Sequence, residues 1–195
     1  MAITQQDIQH SCQESAFHLY ATYYLYGRKS RKKDTWLQLI TLLGLLVPVL
    51  IGGIVASYGL TSQVSYWFLA ILTPIAVLQL ALSTLAVVYK WDDKKNYYLA
   101  SSISNRQLYA EFTNLAKFPP SDLGNLSHRF ELLTQRLQNQ DDQDDNYPLT
   151  DKELRRGMRY SLRQYQKPCA GCNKTPTSMK STDCGVCGNF NFLNI

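Results

Sequence analysis

From Thr35 to Tyr89 the sequence has no Asp, Glu, Lys, Arg or His, a gap of 55 residues. A water-facing domain of this size cannot run so far without charge, so the gap excludes an ordinary soluble surface. Histidine is scarce as well: His10, His18 and His128 stand far apart. No nucleophile–base order, phosphate loop or metal-plus-general-base motif accompanies them, which argues against an enzyme. An apolar run near Met1 is also missing, and Gln5, Gln6, Asp7 and Glu14 stand there instead. No cleaved signal peptide is therefore expected, and the apolar region should stay in the mature chain. A mean hydropathy of -0.23 hides this division between greasy centre and polar flanks.

The gap is filled by two apolar stretches, about 36–58 and 66–89, with G-L-T-S-Q-V-S between them. As helix, residues 36–58 rise about 35 Å, enough to cross a bilayer with some tilt. Trp36, Trp67 and Trp91, with Tyr66 and Tyr89, mark the ends as an interfacial belt would. The reading is a transmembrane helical hairpin. Arg28, Lys29, Arg31, Lys32 and Lys33 precede the first span, Lys90, Lys94 and Lys95 follow the second, and the link has no Lys or Arg. Both termini are thus expected in the cytoplasm, with the basic cluster drawn to anionic headgroups.

Within the spans, Gly52 with Ala56 and Gly53 with Ser57 form small pairs four residues apart, which permit close backbone approach. Pro48 and Pro74 should bend their helices. Gln79 lies mid-span with few partners in a two-helix unit, a pattern favouring self-association. Gln38, Thr73 and Gln79 are the candidate polar groups for a new path or partner.

The flanks read as helical. Ile8, Cys12, Ala16, Leu19, Tyr23 and Tyr26 make one face of a helix over 4–26, with Thr4 as cap. Gly27 and the basic run should interrupt it, and Cys12 should be packed rather than reactive. Tyr20, Tyr23, Tyr24 and Tyr26 suit either the headgroup layer or a second cytosolic helix. A helix over 93–116 presents Leu99, Ile103, Leu108, Phe112 and Leu115 and ends before Pro119 and Pro120. A shorter one over 127–138 shows Leu126, Phe130, Leu133 and Leu137. The tract N-Q-D-D-Q-D-D-N then predicts a mobile solvated loop, without the glycine and terminal glutamate of an EF-hand. Thr150 and Glu153 open a last helix through Gln166 as a capping box. Leu154, Met158, Leu162 and Tyr165 form its apolar face. Arg155, Arg156, Arg159 and Arg163 suit nucleic acid, acidic lipid, a protein partner or a salt-paired surface.

The tail carries two C-x2-C knuckles, Cys169 with Cys172 and Cys184 with Cys187, 11 residues apart. Each aims two sulfurs at one point, and together they complete a tetrahedral site for structural Zn2+, with iron as the alternative ion. Four sulfurs leave no vacancy for water or substrate, so the expected role is structural and the ion should supply much of the folding free energy. A cytosolic tail would keep these thiols reduced. Phe190 and Phe192 can cover the ribbon, and Lys167, Lys174 and Lys180 can offset its thiolate charge. Direct nucleic-acid binding and protein docking both remain open for this tail.

The expected class is an all-α membrane protein: a two-helix transmembrane hairpin, cytosolic helices and a small C-terminal four-cysteine zinc ribbon. Residues 1–34 form the amphipathic helix and basic anchor, 35–91 the hairpin, 92–166 the cytosolic helical region and 167–195 the ribbon.

A C-x2-C-x11-C-x2-C tail after a two-span segment resembles a family of mobile-element proteins named for that spacing. The N-terminal helix, short-looped hairpin, W-D-D-K-K-N-Y-Y and following helix resemble the SLATT group of two-transmembrane effectors. The resemblance implies a multimeric inner-membrane effector of antiphage defence that breaches the membrane and causes abortive infection. It implies regulatory partners such as a retron reverse transcriptase with its RNA–DNA hybrid, or a cyclic-nucleotide synthase. Only Cys169, Cys172, Cys184 and Cys187 carry across, as ligands. A rival expectation is a membrane-anchored adaptor without a pore, recruiting a protein or nucleoprotein through its helices and ribbon.

Overall fold

The computed structural model describes residues 4–59 and 62–190. Among them lie five helices: α1 (Gln5–Tyr58), α2 (Gln63–Val88), α3 (Trp91–Lys117), α4 (Leu123–Asp144) and α5 (Asp151–Gln164). No strand occurs among the described residues, so the cysteine tail is built from turns. The chain forms two units, one of Met1–Arg28 with Tyr98–Ile195, the other of Lys29–Tyr97.

The Lys29–Tyr97 unit holds the long apolar parts of α1 and α2. Each has a window long and apolar enough to cross a membrane, and only 11% and 6% of those windows are buried. Within one chain the close approach in this unit is at Gly44. A Cβ added at Gly52 or Gly53 would meet nothing within 4 Å, whereas one at Gly44 would lie 2.9 Å from Gln79 Nε2. Gln79 also donates to Ser83 Oγ at 3.0 Å, so its own helix meets part of its polarity. Ser65 is fully buried and donates to Gly59 O at 2.6 Å. At the polar end Ser30 Oγ donates to Lys95 O at 3.2 Å, and Lys33 Nζ sits 4.3 Å from the Trp91 ring centroid.

The other unit buries two clusters on different faces of α1. Ile8, Cys12, Ala16 and Leu19 pack with Leu108, Phe112, Leu115 and Ala116 of α3 and with Leu126 and Leu133 of α4. Phe17 turns instead to Leu162 of α5 and to the cysteines of the tail. Thr4 and Asp7 cap α1 reciprocally: Thr4 N donates to Asp7 Oδ2 at 2.9 Å, Asp7 N to Thr4 Oγ1 at 3.2 Å. Cys12 is packed as expected, and burial pushes its thiol up to about 11, which makes it a poor nucleophile. Of the two readings of the tyrosines, packing on other helices is the one found. Tyr26 is 1% exposed, and Tyr24 stacks on Tyr160 with ring centroids 3.7 Å apart.

Three local expectations are corrected. Helix α1 runs through Gly27 and the basic residues without a break. Gly27 is buried, and one glycine costs only about 1 kcal/mol in a long helix. On α3, Leu99 and Ile103 are half exposed, and Ser101 and Asn105 are buried in their place. The acidic tract is helical to Asp144 rather than a loop. Asp144 is 7% exposed; its Oδ1 accepts from Ser101 Oγ at 2.6 Å and from Gln140 Nε2 at 2.8 Å. Its Oδ2 accepts from Asn105 Nδ2 at 2.8 Å, and its carbonyl from the Tyr26 hydroxyl at 3.2 Å. A carboxylate with several donors is satisfied when buried, which offsets the cost of acids at a helix C-terminus.

Candidate metal centre

Helix α5 positions the site. Its capping box forms as the sequence reads: Thr150 N donates to Glu153 Oε2 at 2.9 Å and Glu153 N to Thr150 Oγ1 at 3.4 Å. The helix ends at Gln164, and Lys167 N donates back to Leu162 O at 3.0 Å, turning the chain into the first knuckle.

The two knuckles repeat one geometry. Gly171 N donates to Cys169 Sγ and Val186 N to Cys184 Sγ, each at 3.4 Å. Asn173 N donates to Cys169 O at 2.8 Å, and Gly188 N to Cys184 O at 2.9 Å. The first knuckle closes with Asn173 at a φ of 54°, a left-handed conformation that asparagine tolerates. A Cβ at Gly171 would come 2.7 Å from Val186 Cγ2, so the close approach of the two knuckles requires glycine there.

All four sulfurs lie within 4.8 Å of one another. Cys169 and Cys184 are 3.9 Å apart, as are Cys172 and Cys187. An ion bound at about 2.3 Å from four sulfurs needs edges of about 3.8 Å, so the spacing fits a tetrahedral centre. The backbone N–H groups of Cys187 and Val186 hold the Cys184 thiol down to about 6, favouring the thiolate a metal requires. Burial pushes Cys187 up instead. Cys169 and Cys187 face the interior, while Cys172 and Cys184 are half-buried.

A cation that sequence reasoning did not assign to the sulfurs lies beside them. Lys167 Nζ lies 5.5 Å from the Phe17 ring centroid. Arg159, read earlier as part of a basic surface, is 6% exposed and turned into the tail. Its Nη1 donates to Cys187 O at 3.3 Å and approaches Cys187 Sγ at 3.9 Å. A clue was present in the sequence, since Arg159 adjoins Met158 and lies three residues before Leu162 on the apolar face. Arg156 sits 5.6 Å from the ring centroid of Phe190, which is buried; Phe192 lies outside the described residues. Gln38 donates to Asp34 Oδ2 at 2.9 Å.

A family model described as "Mobilome CxxCx(11)CxxC protein" matches residues 9–190. No curated protein and no solved structure matches the chain.

Proposed function

We infer that this chain, which belongs to the mobilome CxxCx(11)CxxC family, is a two-span inner-membrane effector that self-associates and breaches the bilayer when a partner releases it. The observation that carries the reading is the pair of long apolar helices left open to their surroundings, with 11% and 6% of their windows buried. A core helix of a soluble protein would be mostly covered; these two need a hydrocarbon solvent. The spans form a hairpin with both termini cytoplasmic, because cations flank both outer ends and the link has none. The open Gly52 and Gly53 faces suit contacts between copies.

The family's name points to mobile elements, a setting in which a membrane-breaching protein serves defence against phage. The resemblance of residues 4–116 of this chain to the SLATT group points to the same role, with a retron reverse transcriptase or a cyclic-nucleotide synthase system as the regulator. The mechanism has no catalytic step. Cys169, Cys172, Cys184 and Cys187 hold Zn2+ in a closed site that organises the cytosolic unit and supplies folding energy there.

A pore-free adaptor is favoured by one observation, an open groove of about 570 Å³ between α3 and α4. Phe118, 78% exposed, and Leu132 line it together with Arg129 and Arg136. One experiment separates the two readings. The chain is induced alone in bacteria while membrane potential and dye entry are followed, beside an equally abundant Gly52→Leu variant. Depolarisation by the native chain that Gly52→Leu abolishes supports the effector. Silence of the native chain with its natural gene neighbours present and phage infection under way sinks it in favour of the adaptor.

A further inference from the structure

We propose that Arg159 is the positioning residue of the four-cysteine centre, and that it makes metal occupancy hold α5 against α1. The inference rests on the metal reading above. Arg159 Nε donates to Ser178 O at 2.8 Å; Nη1 reaches Thr182 Oγ1 at 3.4 Å and Cys187 O at 3.3 Å. Ser178 and Thr182 belong to the 11-residue link between the knuckles, and Cys187 closes the second knuckle. One guanidinium therefore engages both the link and the second knuckle, and those acceptors share one place only while the sulfurs converge.

The choice of arginine has a physical reason. A divalent ion in four thiolates leaves a formal charge of about −2, and here two of the sulfurs face the protein interior. Arg159 supplies positive charge on that interior side. Backbone N–H groups serve Cys169 and Cys184, whereas Cys187 receives the guanidinium. A planar fork reaches several fixed acceptors at once, which an ammonium on a flexible stem cannot reproduce.

Other residues of α5 rest on α1. Ser161 Oγ donates to Phe17 O at 3.0 Å, and Tyr160 stacks on Tyr24. A Cβ at Gly157 would lie 2.6 Å from Leu25 Cδ1, so the two helices touch closely there. Removing the ion frees the knuckles and scatters the acceptors of Arg159. Arg159 then no longer ties the tail to α5, and the cluster that joins Phe17 of α1 and Leu162 of α5 to Cys169 and Cys187 comes apart, so α5 loses part of its seat on α1.

The test uses the full chain in detergent micelles, with zinc per chain measured first. Transfer of zinc to a coloured chelator is timed for the native protein, Arg159→Met, Arg159→Lys and Arg163→Met. Arg159→Met should release zinc roughly 10- to 100-fold faster, with Arg159→Lys between and Arg163→Met unchanged. Hydrogen exchange of the α5 amides gives a readout that loss of packing alone would not reproduce. In the native chain, chelation should speed that exchange about tenfold or more; in Arg159→Met, metal-loaded and metal-free forms should differ by less than about threefold. Release from Arg159→Met at the native rate overturns the proposal. So does native α5 exchange indifferent to chelation, a measurement that needs no variant to fold. A native chain that binds no zinc, iron or other divalent ion overturns the metal reading itself, and this inference falls with it.

Discussion

In the Lys29–Tyr97 unit, Leu45, Val49 and Val87 are 66%, 69% and 78% exposed, whereas Cys12, Phe112 and Leu126 in the other unit are fully buried. On the proposed membrane reading the difference is one of solvent. Where water surrounds a fold, burying apolar area is the main driving force, and a deleted side chain costs both transfer energy and a cavity. Where lipid surrounds it, an outward leucine is already in its preferred medium, and helices are held by close shape and a few polar contacts. Sequence changes should therefore fall heavily on the first kind of unit and lightly on the second, except at positions such as Gly44.

The largest effect should come from the cysteines. Cys169→Ser or Cys187→Ser removes a buried ligand, and structural zinc sites contribute on the order of 10 kcal/mol. On the metal reading the variant should bind less metal than the native chain by elemental analysis and show a less cooperative thermal transition, while the apolar unit keeps its helix content. Phe112→Ala comes next. Its ring is 0% exposed and lies 6.4 Å, centroid to centroid, from Phe130, so the loss should be about 3–5 kcal/mol by chemical denaturation. Asp144→Ala should follow at about 2–4 kcal/mol, because Ser101, Asn105 and Gln140 lose an acceptor in a buried place. Asp144→Asn, which keeps one carbonyl oxygen, should cost less. If Asp144→Ala proved as mild as an exposed change, the acidic tract would be the solvated loop that its composition suggests.

That tract shows where sequence reading succeeds and where it stops. The two long apolar helices, the capping box at Thr150 and Glu153 and the clustering of the four cysteines were legible because each signal is local: a charge gap, a four-residue motif, a fixed spacing. The Asp144 network was not, because its donors come from residues 39 and 43 positions away and from Gln140 one turn before it. Asp-rich composition argued for solvent, and tertiary contact overrode it. Leu99 and Ile103 misled in the same way, since the helical period marks a stripe without saying which neighbour covers it. Arg159 was hidden by its company, for an arginine among arginines reads as surface until the tail folds over it.

The smallest expected effects lie in the apolar unit, where they separate two kinds of glycine. Gly44→Leu pushes against Gln79 within one chain and should cost about 1–2 kcal/mol of stability in micelles. Gly52→Leu meets nothing within 4 Å and should change that stability by less than about 0.5 kcal/mol. Chemical crosslinking in membranes completes the pair. If copies meet through the open glycine face, Gly52→Leu should lower the crosslinked fraction without lowering stability, while Gly44→Leu should act in the reverse order. Equal crosslinking of native and Gly52→Leu chains would mean that this face touches lipid alone. The unit would then be an anchor, and the choice between effector and anchor turns on one residue with nothing of its own chain beside it.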